Sequence, residues 1–251
     1  MLECLLIRIA NSKYKNNLIL KGGFLLSIIA GLNSRTTMDI DTTLKRVKLT
    51  ENKVADIFEN ICNIDLKDNI SYEIESISNI RKDDEYGGIR VSLKANYDGL
   101  SVYLSVDVTT GDKITPCAVD FSFNTFFNNT KINILAYNTE TLLSEKIETI
   151  ISRSIANTRI RDFYDVYIIL QTLSIDEEIF YKALIATCKK RNSLENIKNY
   201  KIVLKQLRQE NEIVKLWIQY QKKFNYAKNI SLSEIFNVME KYLDNYFLKS
   251  I

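Results

Sequence analysis

Residues 19–43, ILKGGFLLSIIAGLNSRTTMDIDTT, contain the pattern on which the fold turns. An apolar run ends at Leu20, Gly22 and Gly23 follow, and a short helical pattern runs from Phe24 to Leu32, so the glycines fall at a strand-to-helix turn. Backbone N–H groups at such a helix start can approach and bind phosphate. Turns need glycine in any case, so the pair alone carries little. The run Met38-Asp39-Ile40-Asp41 changes its weight. In a strand, residues i and i+2 share a face, roughly 6 to 7 Å apart at the Cα atoms. Asp39 and Asp41 therefore project together while Met38 and Ile40 turn inward. Two carboxylates on one face repel unless a cation lies between them, and magnesium suits them because it takes hard oxygen ligands together with nucleotide phosphates.

A third carboxylate comes from residues 89–108. Ile89, Val91, Leu93 and Ala95 alternate with polar residues, and after Asp98-Gly99 so do Leu100, Val102, Leu104, Val106 and Val108. Asp-Gly between two such runs predicts a two-residue hairpin. With that loop, Val91 faces Val106, Leu93 faces Leu104 and Arg90 faces Asp107. The apolar residues then share one face, and Asp107 lies on the other with Arg90, Lys94 and Tyr103. Beside Asp39 and Asp41 on a neighbouring strand, Asp107 would complete a site for two metals about 4 Å apart.

Composition narrows the chemistry independently. The chain has 251 residues, no His, one Pro, seven Gly, and 34 basic against 31 acidic side chains. Without imidazole, no Ser/His or Cys/His nucleophile pair and no histidine zinc site can be built. What remains is carboxylate, lysine, arginine, hydroxyl or oxygen-bound metal chemistry. Cys4, Cys62, Cys117 and Cys188 form no C-x-x-C pair, which reads as reduced thiols in a cytoplasmic protein. The opening MLECLLIRIANSKYK carries Glu3 and Arg8 inside its apolar stretch, so it is neither a membrane span nor a signal peptide.

Past residue 138 the period becomes helical. Leu143, Ile147, Ile150, Ile151 and Ile155 mark one apolar face, Phe163, Val166, Tyr167 and Leu170 a second, and Ile235, Val238, Met239, Tyr242 and Tyr246 a third. Ser174 with Glu177, and Ser231 with Glu234, have capping-box spacing. Between Lys182 and Lys228, twelve Lys and Arg stand against three Glu, a balance of +9, which leaves −6 for the remainder of a chain whose net charge is +3. With Trp217, Tyr220, Phe224 and Tyr226 interleaved, this segment suits a polyanion such as RNA, with cations on phosphates and rings on bases. A solvated helical surface with its aromatics in the core explains the same residues equally well.

The order of glycine turn, D-x-D and later strand carboxylate resembles the DNA polymerase β-like nucleotidyltransferase superfamily. More closely, LKGGFLLSIIAGLNSRTTMDIDTT, VDVTTGDKITP, AYNTETLLSEKIETIISR and NTRIRDFYDVYIIL resemble segments of the AbiEii/AbiGii family, the toxin half of abortive-infection and type IV toxin–antitoxin systems. The likeness covers roughly residues 1–170. It implies an α+β chain: a nucleotidyltransferase-like mixed β-sheet domain with flanking helices over residues 1–137, followed by an α-helical domain over 138–251. Family members often carry residues ahead of the segment that begins here at Met1, which implies a late start or a trimmed N-terminus.

By that resemblance, Gly22 and Gly23 correspond to the phosphate-binding turn, and Asp39, Asp41 and Asp107 to the carboxylates that hold two Mg2+ ions. Lys146, Asp162 and Asp165 correspond to later family motifs. The superfamily's usual Gly-Ser turn is Gly-Gly here, which removes a hydroxyl contact to phosphate and leaves the backbone amides; Ser27, a helical turn further on, is a weak substitute. Lys146 would act as a charge on the leaving pyrophosphate, although a lysine at that position also reads as a snorkelling surface residue. Asp162 and Asp165, near a helix start, would contact the nucleotide or orient Lys146, or simply stabilise the helix end. Arg153 and Arg161 are further candidates for triphosphate contact, and Arg35 could brace the loop before the carboxylates. The implied function is a metal-dependent toxin that moves a nucleotide from an NTP to an RNA acceptor such as a tRNA 3′ end, with growth arrest or abortive infection as the result. The implied partner is a separately encoded antitoxin with a DNA-binding domain. Transfer to a protein hydroxyl would use the same carboxylates, and a catalytically silent nucleotide- or antitoxin-binding module is a third possibility.

Overall fold

The computed structural model describes residues 1–31, 39–80, 87–125 and 129–247. The chain divides into two compact units, Met1–Asp112 with Ala118–Tyr137, and Lys113–Cys117 with Asn138–Ile251. Among the described residues, no helix is long and apolar enough to cross a membrane.

The first unit contains a seven-stranded mixed sheet. In chain order its elements are α1 (Leu2–Asn11), β1 (Leu18–Lys21), α2 (Gly22–Ile29), β2 (Asp39–Leu44), α3 (Glu51–Cys62), β3 (Ser71–Ile80), β4 (Gly88–Tyr97), β5 (Leu100–Thr110), β6 (Val119–Asn124) and β7 (Lys131–Ala136). The strands lie in the order β3-β4-β5-β2-β1-β7-β6, with β2/β5 and β1/β7 parallel and the other neighbours antiparallel. The predicted hairpin forms in the predicted register: Val91 pairs with Val106, Leu93 with Leu104 and Arg90 with Asp107. Asp98 and Gly99 both take positive φ, 45° and 78°, as a primed two-residue turn requires. The alternation sends Ile89, Val91, Leu93, Leu104, Val106 and Val108 into the core. Amphipathic α3, capped by the Thr50 side chain accepting from the Lys53 N–H, packs Val54, Ile57, Phe58 and Ile61 inward.

α1 owes its position partly to an ion pair. Arg8, one of the two charges that break the opening apolar stretch, is only 2% exposed. Its guanidinium donates to both Asp68 oxygens at 2.8 Å and to the Ile70 carbonyl at 2.8 Å, and it stacks 4.9 Å from the centroid of the Tyr72 ring. Tyr72 donates in turn to the Met1 carbonyl. These contacts clamp the N-terminal helix to the strand entering the sheet, and the Arg8 hydrogen bond lowers the Asp68 pKa.

The second unit is helical: α4 (Thr139–Arg153), α5 (Ile160–Thr172), α6 (Glu177–Lys190), α7 (Leu194–Lys198), α8 (Tyr200–Gln209), α9 (Asn211–Lys223) and α10 (Leu232–Phe247). Leu143, Ile147, Ile150 and Ile151 are buried on α4 as the periodicity requires. Ile155 is not: α4 stops at Arg153, Ser154 takes φ 48°, and Ile155 is left 55% exposed. The Ser231/Glu234 capping box forms, with reciprocal bonds of 3.1 and 2.9 Å. The Ser174/Glu177 box does not. Asp176, an equally good cap two residues on, accepts from the Ile179 N–H at 2.9 Å and starts α6 at Glu177.

Removing one partner of a buried ion pair strands the other. Asp68→Ala is therefore expected to lower the unfolding free energy by roughly 2 to 3 kcal/mol, because Arg8 would keep its charge without a counter-ion. Urea unfolding checks this; a loss below about 0.5 kcal/mol, the range of an ordinary surface substitution, would mean the clamp does not hold α1.

Candidate active site

The turn out of β1 is built around a carboxylate. Gly22 has φ +70°, and a Cβ placed on it would lie 2.0 Å from Asp41 Oδ2 and 2.6 Å from Asp41 Cγ. Both the backbone angle and the contact therefore exclude any side chain. Gly22 and Gly23 form the first turn of α2, so the Asp41 carboxylate rests against a helix N-terminus, where the peptide dipoles favour negative charge.

Strand registers place the other charges. Lys21 on β1 pairs with Asp41 on β2, Asp41 with Asp107 on β5, and Asp107 with Arg90 on β4. One row crossing four adjacent strands thus reads Lys21, Asp41, Asp107, Arg90, with neighbouring strands about 4.8 Å apart. Arg90 grips Asp107 with two hydrogen bonds, Nε to Oδ1 at 2.7 Å and Nη2 to Oδ2 at 2.8 Å. That hydrogen-bonded pair raises the Arg90 pKa. Asp39, two residues before Asp41 on the same face, pairs across to Ser105 and accepts a hydrogen bond from its hydroxyl.

Two charged residues beside this row escaped the sequence reading. Lys21 Nζ donates to Asp112 Oδ2 at 2.6 Å, and the Thr109 hydroxyl donates to the same oxygen at 2.7 Å. Burial opposes the Asp112 charge, but Lys21 and the Thr109 hydroxyl overcome it and hold the carboxyl down to about 2. The pair ties the last residue before the glycine turn to the chain just past β5. Its signals were Lys21 directly before Gly22-Gly23 and Asp112 five residues after Asp107.

The donor set of the D-x-D pair fits a hard divalent ion: two carboxylates two residues apart on one strand face, one of them against a helix N-terminus. Asp107 lies in the same row with both its oxygens bonded to Arg90. Among the described residues, no group of three or more His, Cys, Asp or Glu is gathered as a metal cage. Ser27 donates its hydroxyl to the Phe24 carbonyl of its own helix at 2.7 Å. Arg35 and Met38 lie outside the described residues.

In the helical unit, Lys146 is 8% exposed, so it is a buried lysine and not a snorkelling one. Its Nζ donates to Asp162 Oδ1 at 2.9 Å and to Asp165 Oδ2 at 2.6 Å, and Asp165 is fully buried. The i, i+3 carboxylates on α5 thus both hold this lysine of α4. Arg153 ends α4 on the surface, and Arg161 lies 6.0 Å from the Phe224 ring centroid. Of the aromatics of the basic segment, Trp217 and Tyr220 go to the core, while Phe224 and Tyr226 are half-buried. Trp217 is 3% exposed and donates its indole N–H to the Ile230 carbonyl, and Tyr220 bonds Tyr226 through their hydroxyls at 2.9 Å. Stacking on bases is therefore not what Trp217 and Tyr220 do. Lys205, Lys222, Lys223 and Lys228 remain exposed.

The family model described as "Nucleotidyl transferase AbiEii toxin, Type IV TA system" matches residues 4–238. No curated protein matches. Among solved structures, a candidate nucleotidyltransferase from H. pylori is 16% identical, with a TM-score of 0.51, over 99% of this chain and 92% of that one. JHP933 from Helicobacter pylori is 14% identical, with a TM-score of 0.50, over 99% and 91%. At such identities the likeness is one of fold, and the mixed sheet with flanking helices agrees with it.

Two outcomes test the geometry. Gly22→Ala is expected to cost at least about 1 to 2 kcal/mol from the left-handed backbone alone, and more from the Asp41 contact; wild-type stability in urea would contradict the close approach. The folded pKa of Asp112 lies below its ordinary value of 3.8, so its stabilisation is full above about pH 4 and lost as pH falls toward 2. Asp112→Asn should therefore be less stable at neutral pH and show a flatter acid-unfolding profile over that window, and an unchanged profile would contradict the pairing with Lys21.

Proposed function

The chain belongs to the AbiEii nucleotidyltransferase toxin family of type IV toxin–antitoxin systems, and from that premise we propose that it uses a divalent metal to transfer a nucleotide from an NTP to an RNA acceptor in the cytoplasm. The observation that supports the reading is the cross-strand row with Gly22 packed on Asp41, because it sets a helix start suited to phosphate beside carboxylates suited to a metal ion.

In this reading the amides at the start of α2 receive triphosphate oxygens, where glycine lets the backbone come close. Asp39 and Asp41 would hold the magnesium, which when bound would supply a charge that makes the attacking hydroxyl more acidic and offsets the charge of the departing pyrophosphate. Asp107 orients the acceptor hydroxyl or takes its proton, and Lys21, fixed by Asp112, keeps the turn seated on β1. Lys146 contributes a positive charge for the triphosphate, and its burial between Asp162 and Asp165 fixes the direction of that charge. Arg153 and Arg161 are lesser candidates for the same role.

For the acceptor, support comes from the basic segment. Exposed lysines on α8, α9 and the turn beyond it suit phosphates, while the burial of Trp217 and Tyr220 takes those two rings out of the stacking argument. Modification of an RNA such as a tRNA 3′ end would halt translation, and a separately encoded antitoxin with a DNA-binding domain would neutralise the arrest.

Incubation with each α-labelled NTP, total RNA and cell protein tests the reading. Label is expected in RNA; label recovered only in protein would move the acceptor to a protein hydroxyl. Asp41→Ala is expected to lower transfer at least a thousandfold and abolish growth arrest, and so is Lys146→Ala by at least tenfold in transfer. Unchanged toxicity of folded Asp41→Ala would favour a silent binding module.

A further inference from the structure

The hairpin face that carries Asp107 continues outward from the charge row toward the Asp98-Gly99 turn, and the aromatic on it is Tyr103. This residue lies on β5 two positions before Ser105, whose hydroxyl bonds Asp39, and four before Asp107. At about 3.3 Å per residue, it stands roughly 7 Å along the strand from the first and 13 Å from the second. Its partner across the hairpin is Lys94, with Ser92 and Asn96 next to Lys94 on the same face of β4, and Ser101 and Ser105 along its own strand. None of these neighbours is apolar, because the alternation sends Leu93, Ala95 and Leu104 to the buried face. Tyr103 is nevertheless 65% exposed, and among the described residues its ring and hydroxyl make no hydrogen bond or ring contact. Lys94 is half-buried. Glu73 pairs with it from β3, but the Glu73 carboxylate accepts from the Asn96 amide at 2.9 Å, and among the described residues Lys94 has no ion pair. A ring and an ammonium thus stand side by side on an open sheet face, on the strands that carry Asp107 and Arg90.

Resting on the nucleotidyltransferase reading above, we propose that this face of β4 and β5 seats the acceptor: an unpaired RNA end stacks one base on Tyr103 and sets a phosphate beside Lys94, with its terminal hydroxyl directed along β5 toward Asp107. An exposed aromatic on a sheet surface suits single-stranded bases, since every base has a face to stack and a neighbouring cation meets the backbone charge. A protein partner would gain little here. Interface cores bury apolar side chains together, and Tyr103 has only serine, asparagine and lysine around it on this hairpin face. Paired RNA offers no free base to the ring, because its bases stack on one another. The side of the row separates acceptor from incoming nucleotide. The glycine turn lies against Asp41 on the β1 and β2 side, whereas Tyr103 and Lys94 belong to β5 and β4 on the other, so a triphosphate at the start of α2 leaves the hairpin face to the second substrate. Stacking tolerates any base, so Tyr103 selects an unpaired end and not a sequence.

Fluorescence anisotropy of a short unpaired RNA, labelled with fluorescein at its 5′ end and titrated with the full chain in the absence of NTP, tests this without reference to turnover. Tyr103→Ala is expected to weaken binding at least about fivefold, the lower end of what one base stacked on a ring contributes, and Tyr103→Phe, which keeps the ring, to stay within about twofold. Lys94→Gln should weaken binding and lower the slope of log affinity against log salt by about 0.7, the share of one phosphate contact, whereas Tyr103→Ala should leave that slope as it is. A blunt RNA duplex should bind the wild type and Tyr103→Ala equally. In transfer assays Tyr103→Ala should raise the KM for RNA by about the same factor and leave the KM for NTP unchanged. Circular dichroism melts confirm that each variant folds, and Tyr103→Phe and Lys94→Gln carry the test should Tyr103→Ala fail to. Wild-type affinity in Tyr103→Ala, equal losses in Tyr103→Ala and Tyr103→Phe, an unchanged salt slope in Lys94→Gln, or a rise confined to the KM for NTP would each overturn the proposal. Labelled NTP separates the two levels: RNA labelled equally well by the wild type and by Tyr103→Ala at low RNA overturns only the role of Tyr103, and label confined to protein, with no binding of the short RNA by the wild type, overturns the RNA acceptor itself.

Discussion

The register of four strands determines the chemistry available to this protein. Because β1 pairs antiparallel with β2, β2 parallel with β5, and β5 antiparallel with β4, Lys21, Asp41, Asp107 and Arg90 become consecutive members of one row. A slip of one residue in any of these pairings would send its charged residue to the opposite, apolar face, where Ile40, Val91 and Val106 now lie fully buried. The buried face thus enforces the order of charges on the polar one. Two like charges meet at the centre of the row, and positive groups lie beside them: the Arg90 guanidinium grips Asp107, and the dipole of α2 faces Asp41.

The glycine turn is part of the same constraint. Gly22 is required where it is because the Asp41 side chain occupies the space a Cβ would take, so the glycine turn and the carboxylate cannot be varied independently. Lys21 and Asp112 extend the coupling. Their buried ion pair joins the end of β1 to the chain beyond β5, although 91 residues separate them in sequence. The helical unit repeats the theme with opposite polarity: one lysine, Lys146, is held between two carboxylates of the next helix. In both units a charge is oriented by partners that are themselves fixed by regular secondary structure, which gives a more definite direction than a loop would.

Local signals carried much of this into the sequence. Asp98-Gly99 between two alternating runs specified the hairpin to the residue, and with it the facing of Arg90 and Asp107. The i, i+2 spacing placed Asp39 and Asp41 together, and the glycine pair marked the turn. What could not be read depended on long-range contacts or on competition between equivalent local choices. The Lys21–Asp112 and Arg8–Asp68 pairs join segments with no pattern in common. Asp176 displaced Ser174 as a helix cap because both residue types serve, and the stop at Ser154 left Ile155 outside the helix whose period it continues. The basic segment was ambiguous for a different reason. Aromatic spacing alone does not distinguish a core from a stacking surface, and packing assigned Trp217 and Tyr220 to the core. Arg90 was visible beside Asp107 from the start, yet only side-chain geometry revealed that it engages both carboxylate oxygens.

Anomalous diffraction from crystals of the full chain grown with Mn2+ and a non-transferable NTP analogue is the most direct measurement of whether this row is a nucleotidyl-transfer site. The expected map has an anomalous peak ligated by Asp39 and Asp41, triphosphate oxygens on the amides at the start of α2, and the Arg90–Asp107 pair intact. A triphosphate bound away from Gly22 and Gly23, with no anomalous density at Asp39 and Asp41, would contradict the account.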